Sequence, residues 1–215
     1  MKTEELYTYV DHTALKAFTT WEEIEKLCQE ALEYNMASVC IPCCYIKKAH
    51  EMFPELNICT VVGFPLGYSN TEGKIAETKQ ALKDGASEID MVINICDVKN
   101  KEYDKVEKEI AALKNVVADK VLKVIIETCY LDNEEKIAMC KAVTNAKADY
   151  IKTSTGFGTG GATIEDVRLM KEHIGPDVKI KAAGGVRSRE EMEQYITAGC
   201  SRIGTSSAIS MLKEE

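Results

Sequence analysis

Four short runs of this 215-residue chain place ionisable groups among apolar and β-branched neighbours. They are Glu88–Asn94 around Asp90, Val121–Thr128 around Lys123 and Glu127, Tyr150–Thr155 around Lys152, and Val178–Gly184 around Lys179 and Lys181. Side chains alternate across a strand, so parity sorts one face from the other. Asp90, Val92 and Asn94 share a face opposite Ile89, Met91 and Ile93. Lys152 and Ser154 oppose Ile151 and Thr153, and Lys179, Lys181 and Ala183 oppose Ile180 and Ala182. Lys123, Ile125 and Glu127 share a parity. If these strands enclose a space, amines and carboxylates converge in it. Burial and neighbouring ammonium groups both disfavour a charged lysine, by up to ~3–5 pKa units when burial is complete. A neutral lysine amine is a nucleophile for carbonyls. One of Lys152 and Lys181 is expected to stay charged beside Asp90 while the other is neutral, because pairs driven apart take distinct acid and base roles. Lys123 and Lys179 lie early in their strands, and for them a solvated outward position competes evenly with a functional one. For Asp90 the competing reading is a buried structural ion pair.

A second group of residues suits an anion. Ala182-Ala183-Gly184-Gly185-Val186-Arg187 runs into a helix capped at Ser188, and Gly204-Thr205-Ser206-Ser207 runs into the last helix. Glycines let backbone N–H groups approach a phosphate, and a helix start adds partial positive charge. Ordinary turn glycines are the plainer reading, but two such loops in consecutive final units favour phosphate. Thr155 and Gly156 end the run that carries Lys152 and are assigned to the same substrate surface. Gly156–Gly161 spells a literal G-x-G-x-x-G, yet no acid follows where a ribose-binding carboxylate belongs. A mobile loop beside the site is the better reading. Cys40 reads as a small core filler, His12 as a hydrogen-bonding residue near the first strand's end, and Glu127 as an orienter of substrate or of a lysine.

The elements that must position these groups alternate regularly. Strands are expected near Tyr9–Asp11, Ala37–Pro42, Ile58–Phe64, Glu88–Asn94, Val121–Thr128, Tyr150–Thr155, Val178–Gly184 and Ser201–Thr205. Helices fill the gaps. Thr20-Trp21-Glu22-Glu23 and Ser188-Arg189-Glu190-Glu191 fit the reciprocal capping box, and Asp132 offers an N-cap in the same frame. Ile24, Leu27, Ala31 and Leu32 mark one helical face, and Ile110, Leu113 and Val117 another. Gly85 and Gly199 fall just past helix ends. Eight βα units predict a (β/α)₈ TIM barrel, one domain over residues 1–215, whose active face lies at the strand C-termini. A doubly wound open sheet is the rival; polar residues at period 2 favour the enclosed interior.

Composition narrows the function classes. The chain is 45% hydrophobic and 29% charged, with net charge −8, which fits a globular protein and lacks the basic stripe of a nucleic-acid binder. No apolar run reaches membrane-helix length, and the N-terminus has no signal-peptide core. Nine cysteines without C-x-x-C spacing read as reduced thiols. His12, His50 and His173 lie far apart, so zinc is not expected.

Taken together these residues resemble the deoxyribose-phosphate aldolase family over nearly the whole chain. The resemblance rests on Val10-Asp11-His12-Thr13, Val61-Val62-Gly63-Phe64-Pro65-Leu66-Gly67, Glu88–Asn94, Lys123–Thr128, Ile151-Lys152-Thr153-Ser154-Thr155-Gly156-Phe157, Lys181–Arg187 and Gly204–Ser207. It implies a class I aldolase on a TIM barrel that reversibly cleaves 2-deoxy-D-ribose 5-phosphate to D-glyceraldehyde 3-phosphate and acetaldehyde. Cytoplasmic deoxynucleoside breakdown without metal or other cofactor is implied too. By motif match Lys152 takes the Schiff-base position, Asp90 and Lys181 the proton-transfer positions, and Gly184, Gly185, Ser206 and Ser207 phosphate contacts. Asp11, Cys40, Lys123 and Glu127 are possible supporting residues. Two departures stand out. Phe157 occupies a position where some members carry lysine, and the chain ends Leu212-Lys213-Glu214-Glu215 without the tyrosine some members have. The expected partners are small phosphosugars and aldehydes, with no nucleic acid, no membrane and a plausible homodimer. The rival functions are another phosphosugar lyase or isomerase, and a non-catalytic sugar-phosphate binder.

Overall fold

The computed structural model describes residues 1–213. Glu214 and Glu215, which end the expected domain and complete the tyrosine-free C-terminus, lie outside the described residues. Eight strands close into a barrel in sequence order. They are β1 (Val10–Thr13), β2 (Ser38–Cys40), β3 (Ile58–Val62), β4 (Glu88–Val92), β5 (Val121–Ile125), β6 (Tyr150–Lys152), β7 (Lys179–Ala183) and β8 (Cys200–Thr205). Every neighbouring pair is parallel. Parallel neighbours need a crossover, and helical segments supply each one. The barrel expectation therefore holds and the open sheet is excluded.

The outward parity builds the apolar core. Ile89, Met91, Leu122, Val124, Ile151, Ile180, Ala182 and Ile203 are buried beneath the helices. Each large aliphatic side chain so covered contributes about 1.5–3 kcal/mol. The helices start where their caps predict. Thr20, Asp132 and Ser188 each head a complete capping box with Glu23, Glu135 and Glu191. Gly85 and Gly199 adopt φ of 112° and 115° just after helix ends, a conformation that costs any residue with a Cβ. Ile24, Leu27 and Ala31 face the core, but Leu32 is exposed. The buried stripe of helix Trp21–Glu33 is narrower than the sequence implied.

Most strands stop one to three residues earlier than expected, at the end that shapes the site. Gly63 turns β3 away with φ 63°, and Glu127 turns β5 with φ 51°. Asn94 leaves β4 to cap the short helix Ile95–Lys99, accepting the Cys96 N–H, so it does not continue the inward face. A register irregularity between Ile180 and Lys181 sets Lys181 opposite Arg202.

Candidate active site

The inward face is ionic. Asp11, Glu88, Asp90, Lys123, Lys152 and Lys181 are all buried, and Arg202 joins them from β8. Barrel interiors are usually packed with branched aliphatic side chains. Here the charged groups fill that volume and pair with one another.

Asp90 is the hub. Its Oδ2 accepts from Lys152 Nζ and from Lys181 Nζ, each at 2.7 Å. Its Oδ1 accepts from Lys123 Nζ at 3.1 Å and from the Cys59 thiol at 3.1 Å. Burial alone would raise the Asp90 pKa. The ammonium groups of Lys123, Lys152 and Lys181 outweigh burial and hold it well below the usual carboxylate range. Burial likewise disfavours the Lys181 ammonium, but Asp11 and Asp90 reverse that and hold its pKa above the ordinary lysine value. Asp11 pairs with both Lys181 and Arg202.

Deeper in the barrel, Lys123 pairs with Glu88, and Arg202 Nη2 donates to Glu88 Oε1 at 2.8 Å. The Tyr150 ring lies below Lys123 and Arg202, 6.0 and 5.8 Å from its centroid. The outward alternative for Lys123 is thus overturned: its side chain is fully buried inside the barrel. Lys179 is exposed at the opposite mouth and stands apart from the cluster.

In ionised form the cluster holds four cations (Lys123, Lys152, Lys181, Arg202) against three carboxylates (Asp11, Glu88, Asp90). Lys152 has the fewest ionic contacts. Among the described residues its one carboxylate partner is an Asp90 oxygen already shared with Lys181.

The loops above the cluster are tied by hydroxyls. Thr155 Oγ1 donates to Glu127 and accepts the Phe157 N–H at 3.0 Å. Thr205 Oγ1 donates to the Val186 carbonyl and accepts the Ser207 N–H at 3.0 Å. Short hydroxyl-to-backbone turns of this kind fix a loop without regular structure. Glu127 therefore grips the loop after β6 through Thr155, and among the described residues no lysine pairs with it. Thr155 is buried with its hydroxyl engaged.

Gly156 and Gly161 pack against Gly184, where a Cβ on Gly161 would lie 2.1 Å from the Gly184 oxygen. The G-x-G-x-x-G run thus lets two loops touch. Gly185 is exposed, and a Cβ there meets nothing within 4 Å. Ser206 is exposed and Ser207 half-buried beside it. Gly204 is buried in β8, and its missing side chain leaves room for Lys181 Cε, 3.2 Å from where a Cβ would sit. His12 Nε2 lies 2.8 Å from Glu30, a link to the surrounding helices. Cys40 is fully buried on the inward face of β2.

Sequence reasoning missed three members of the cluster. Glu88 shares parity with Asp90, and Arg202 with Gly204, so both were available to the alternation rule. Cys59 carries no such mark, because a cysteine in an apolar strand reads as filler.

The chain belongs to the DeoC/LacD family of aldolases, whose sequence model matches residues 6–212. It is 68% identical to the deoxyribose-phosphate aldolase of Clostridium botulinum (strain Alaska E43 / Type E3), over 100% of this chain and 98% of that relative. It is 59% identical to the deoxyribose-phosphate aldolase of Clostridioides difficile (strain 630), covering 96% and 94%. Among solved structures, a putative deoxyribose-phosphate aldolase from Coccidioides immitis superposes with a TM-score of 0.95 at 36% identity, over 99% of this chain and 86% of that one. A tetrameric deoxyribose phosphate aldolase from Aeropyrum pernix superposes with a TM-score of 0.90 at 29% identity, over 98% and 91%.

Proposed function

We propose that this aldolase cleaves 2-deoxy-D-ribose 5-phosphate reversibly to D-glyceraldehyde 3-phosphate and acetaldehyde, with Lys152 as the imine-forming nucleophile. The observation that carries the residue assignment is the sharing of Asp90 Oδ2 by Lys152 and Lys181 within a cluster that has one cation too many. Loss of one proton makes the cluster neutral. Lys152 has one carboxylate partner among the described residues, whereas Lys181 keeps a second in Asp11.

The free amine of Lys152 attacks C1 of the substrate aldehyde, and loss of water leaves an iminium. Electrons of the C2–C3 bond flow toward that positive nitrogen as the C3 hydroxyl loses its proton. Glyceraldehyde 3-phosphate departs and an enamine remains. Protonation at C2 and hydrolysis release acetaldehyde and restore the amine. Asp90 handles the hydroxyl proton, directly or through water, and Lys181 supplies positive charge beside the amine. Well-placed acid and base groups contribute about 10²–10⁴-fold.

The phosphate is assigned to Gly184, Gly185, Ser206 and Ser207. Their support is an open backbone at Gly185 and two hydroxyl side chains on the adjoining loop. Thr155, Gly156 and Gly204 shape that surface. Reduction with borohydride in the presence of acetaldehyde, followed by peptide mapping, tests the assignment. A two-carbon adduct on Lys152 is the expected result. An unmodified Lys152 would favour an isomerase or a non-catalytic binder. We place the enzyme in the cytoplasm, where its thiols stay reduced, and as a homodimer, to be checked by sedimentation.

A further inference from the structure

The geometry points to a soft-cation site in the barrel wall: Cys40 Sγ, Cys59 Sγ and an Asp90 carboxylate oxygen form a cradle for a thiophilic divalent ion of the zinc and cadmium class, and occupying it draws on the carboxylate that Lys152 pairs with. The three ligand atoms lie within 4.8 Å of one another, and all three residues are buried. Cys40 and Cys59 are register partners on the parallel strands β2 and β3, so both sulfurs face inward at one level. The Cys59 thiol already donates to Asp90 Oδ1 at 3.1 Å. Tetrahedral zinc, with Zn–S near ~2.3 Å and Zn–O near ~2.0 Å, sets its ligand atoms roughly 3.5–3.8 Å apart. The observed atoms, all within 4.8 Å and with Cys59 Sγ 3.1 Å from Asp90 Oδ1, reach that spacing by small side-chain movements. Two thiolates and a carboxylate leave one position of a tetrahedron open.

Lys123 Nζ, 3.4 Å from Cys59 Sγ and 3.1 Å from Asp90 Oδ1, gives up both contacts to the ion and keeps Glu88. Binding breaks two S–H bonds, forms two metal–sulfur bonds and sends two protons to solvent. A doubly charged ion replaces two protons, so the charge of the cluster is unchanged and nothing is oxidised or reduced. Thiolates are strong ligands for this class of metal. Entry passes Leu15 and Phe64, which pack on Cys40, Cys59 and Val61, so binding is slow. The chain offers no zinc spacing in sequence; three separate strands bring the ligands together.

The consequence for activity rests on the proposed roles of Asp90 and Lys152, whereas the site itself does not. The test uses cadmium ion with the reduced full-length protein, after the exposed or half-buried Cys43, Cys44, Cys96 and Cys129 are changed to serine to silence surface thiols. One ion per chain is expected, seen as cadmium–thiolate absorption in the ultraviolet, with two protons released and reversal by a chelator. Cys40→Ser and Cys59→Ser are each expected to weaken binding by more than the ~10–100-fold that loss of an outer-shell partner costs. X-ray absorption of the zinc-loaded parent protein, which needs no ligand variant to fold, is expected to show two sulfur neighbours near ~2.3 Å. Absence of the one-ion absorption, or its survival in both serine variants, overturns the site. Aldolase activity is expected to fall in step with the absorption. Binding without loss of activity would leave the metal site standing and overturn the reading of Asp90 and Lys152.

Discussion

At the floor of the barrel, Lys123 and Arg202 meet Glu88 and Asp11, each cation against at least two carboxylates. Nearer the mouth, Lys152 and Lys181 converge on one Asp90 oxygen, and only Lys181 has a second carboxylate. Both layers set basic side chains against buried carboxylates, with Arg202 and Glu88 confined to the floor. The floor is matched, so it holds shape. The mouth is short of one negative charge. The two layers thus differ in how charge is matched.

Exchanging the proposed nucleophile tests this contrast most severely. Lys152→Arg keeps the positive charge but cannot form an imine, and kcat is expected to fall on the order of 10⁴–10⁶-fold, as loss of a covalent nucleophile does elsewhere. Melting temperature is expected to stay near that of the parent, and substantial turnover would remove Lys152 from its role. Asp90→Asn removes the charge that both layers share. Activity is expected to drop about 10²–10⁴-fold, measured by a coupled assay for glyceraldehyde 3-phosphate. At the floor, Lys123→Met takes one buried ammonium partner from each of Glu88 and Asp90, leaving Glu88 to Arg202 and Asp90 to Lys152 and Lys181. Breaking such a pair costs about 3–5 kcal/mol, so urea unfolding is expected to shift strongly while the borohydride adduct still forms on Lys152. An adduct lost before stability falls would mean the layers are not separable.

Acidity gives a subtler probe. Asp90 is held below its unfolded pKa, so its contribution to stability is present above about pH 4 and is lost as pH falls further. Lys181 is held above its unfolded pKa, so its contribution is present below about pH 10.4 and is lost as pH rises through the folded value. Denaturant titrations are expected to show a stability plateau between those limits, as far as these two groups govern it. A steep fall near neutrality would contradict the paired arrangement. The smallest effect is expected in the loops. Ser206→Ala is expected to raise KM for the phosphorylated sugar about 5–10-fold, the value of one hydrogen bond, and to leave cleavage of unphosphorylated deoxyribose unchanged.

Much of this was legible beforehand. Alternation along β4, β6 and β7 placed Asp90, Lys152 and Lys181 on one face, and capping boxes at Thr20, Asp132 and Ser188 fixed three helix starts. What remained hidden depends on relations between strands. The irregularity at Ile180/Lys181 sets which β8 residue meets Lys181. The Glu127–Thr155 contact was not legible because it depends on a positive φ that sends the carboxylate toward Thr155 once the strand has ended. Lys123 looked peripheral from its place in the strand, yet a small closed barrel has no solvated inner surface at that depth.

A seven-member ionic lattice also limits how this chain can change over generations. A lone exchange at Glu88, Lys123 or Arg202 takes a partner from at least two opposite charges in a dry interior. Drift there must proceed by compensating pairs, and descendants that alter the floor should carry a second, matching alteration on a neighbouring strand. The serines and glycines around the rim answer to no such rule, so substrate preference can wander while the foundation stays put.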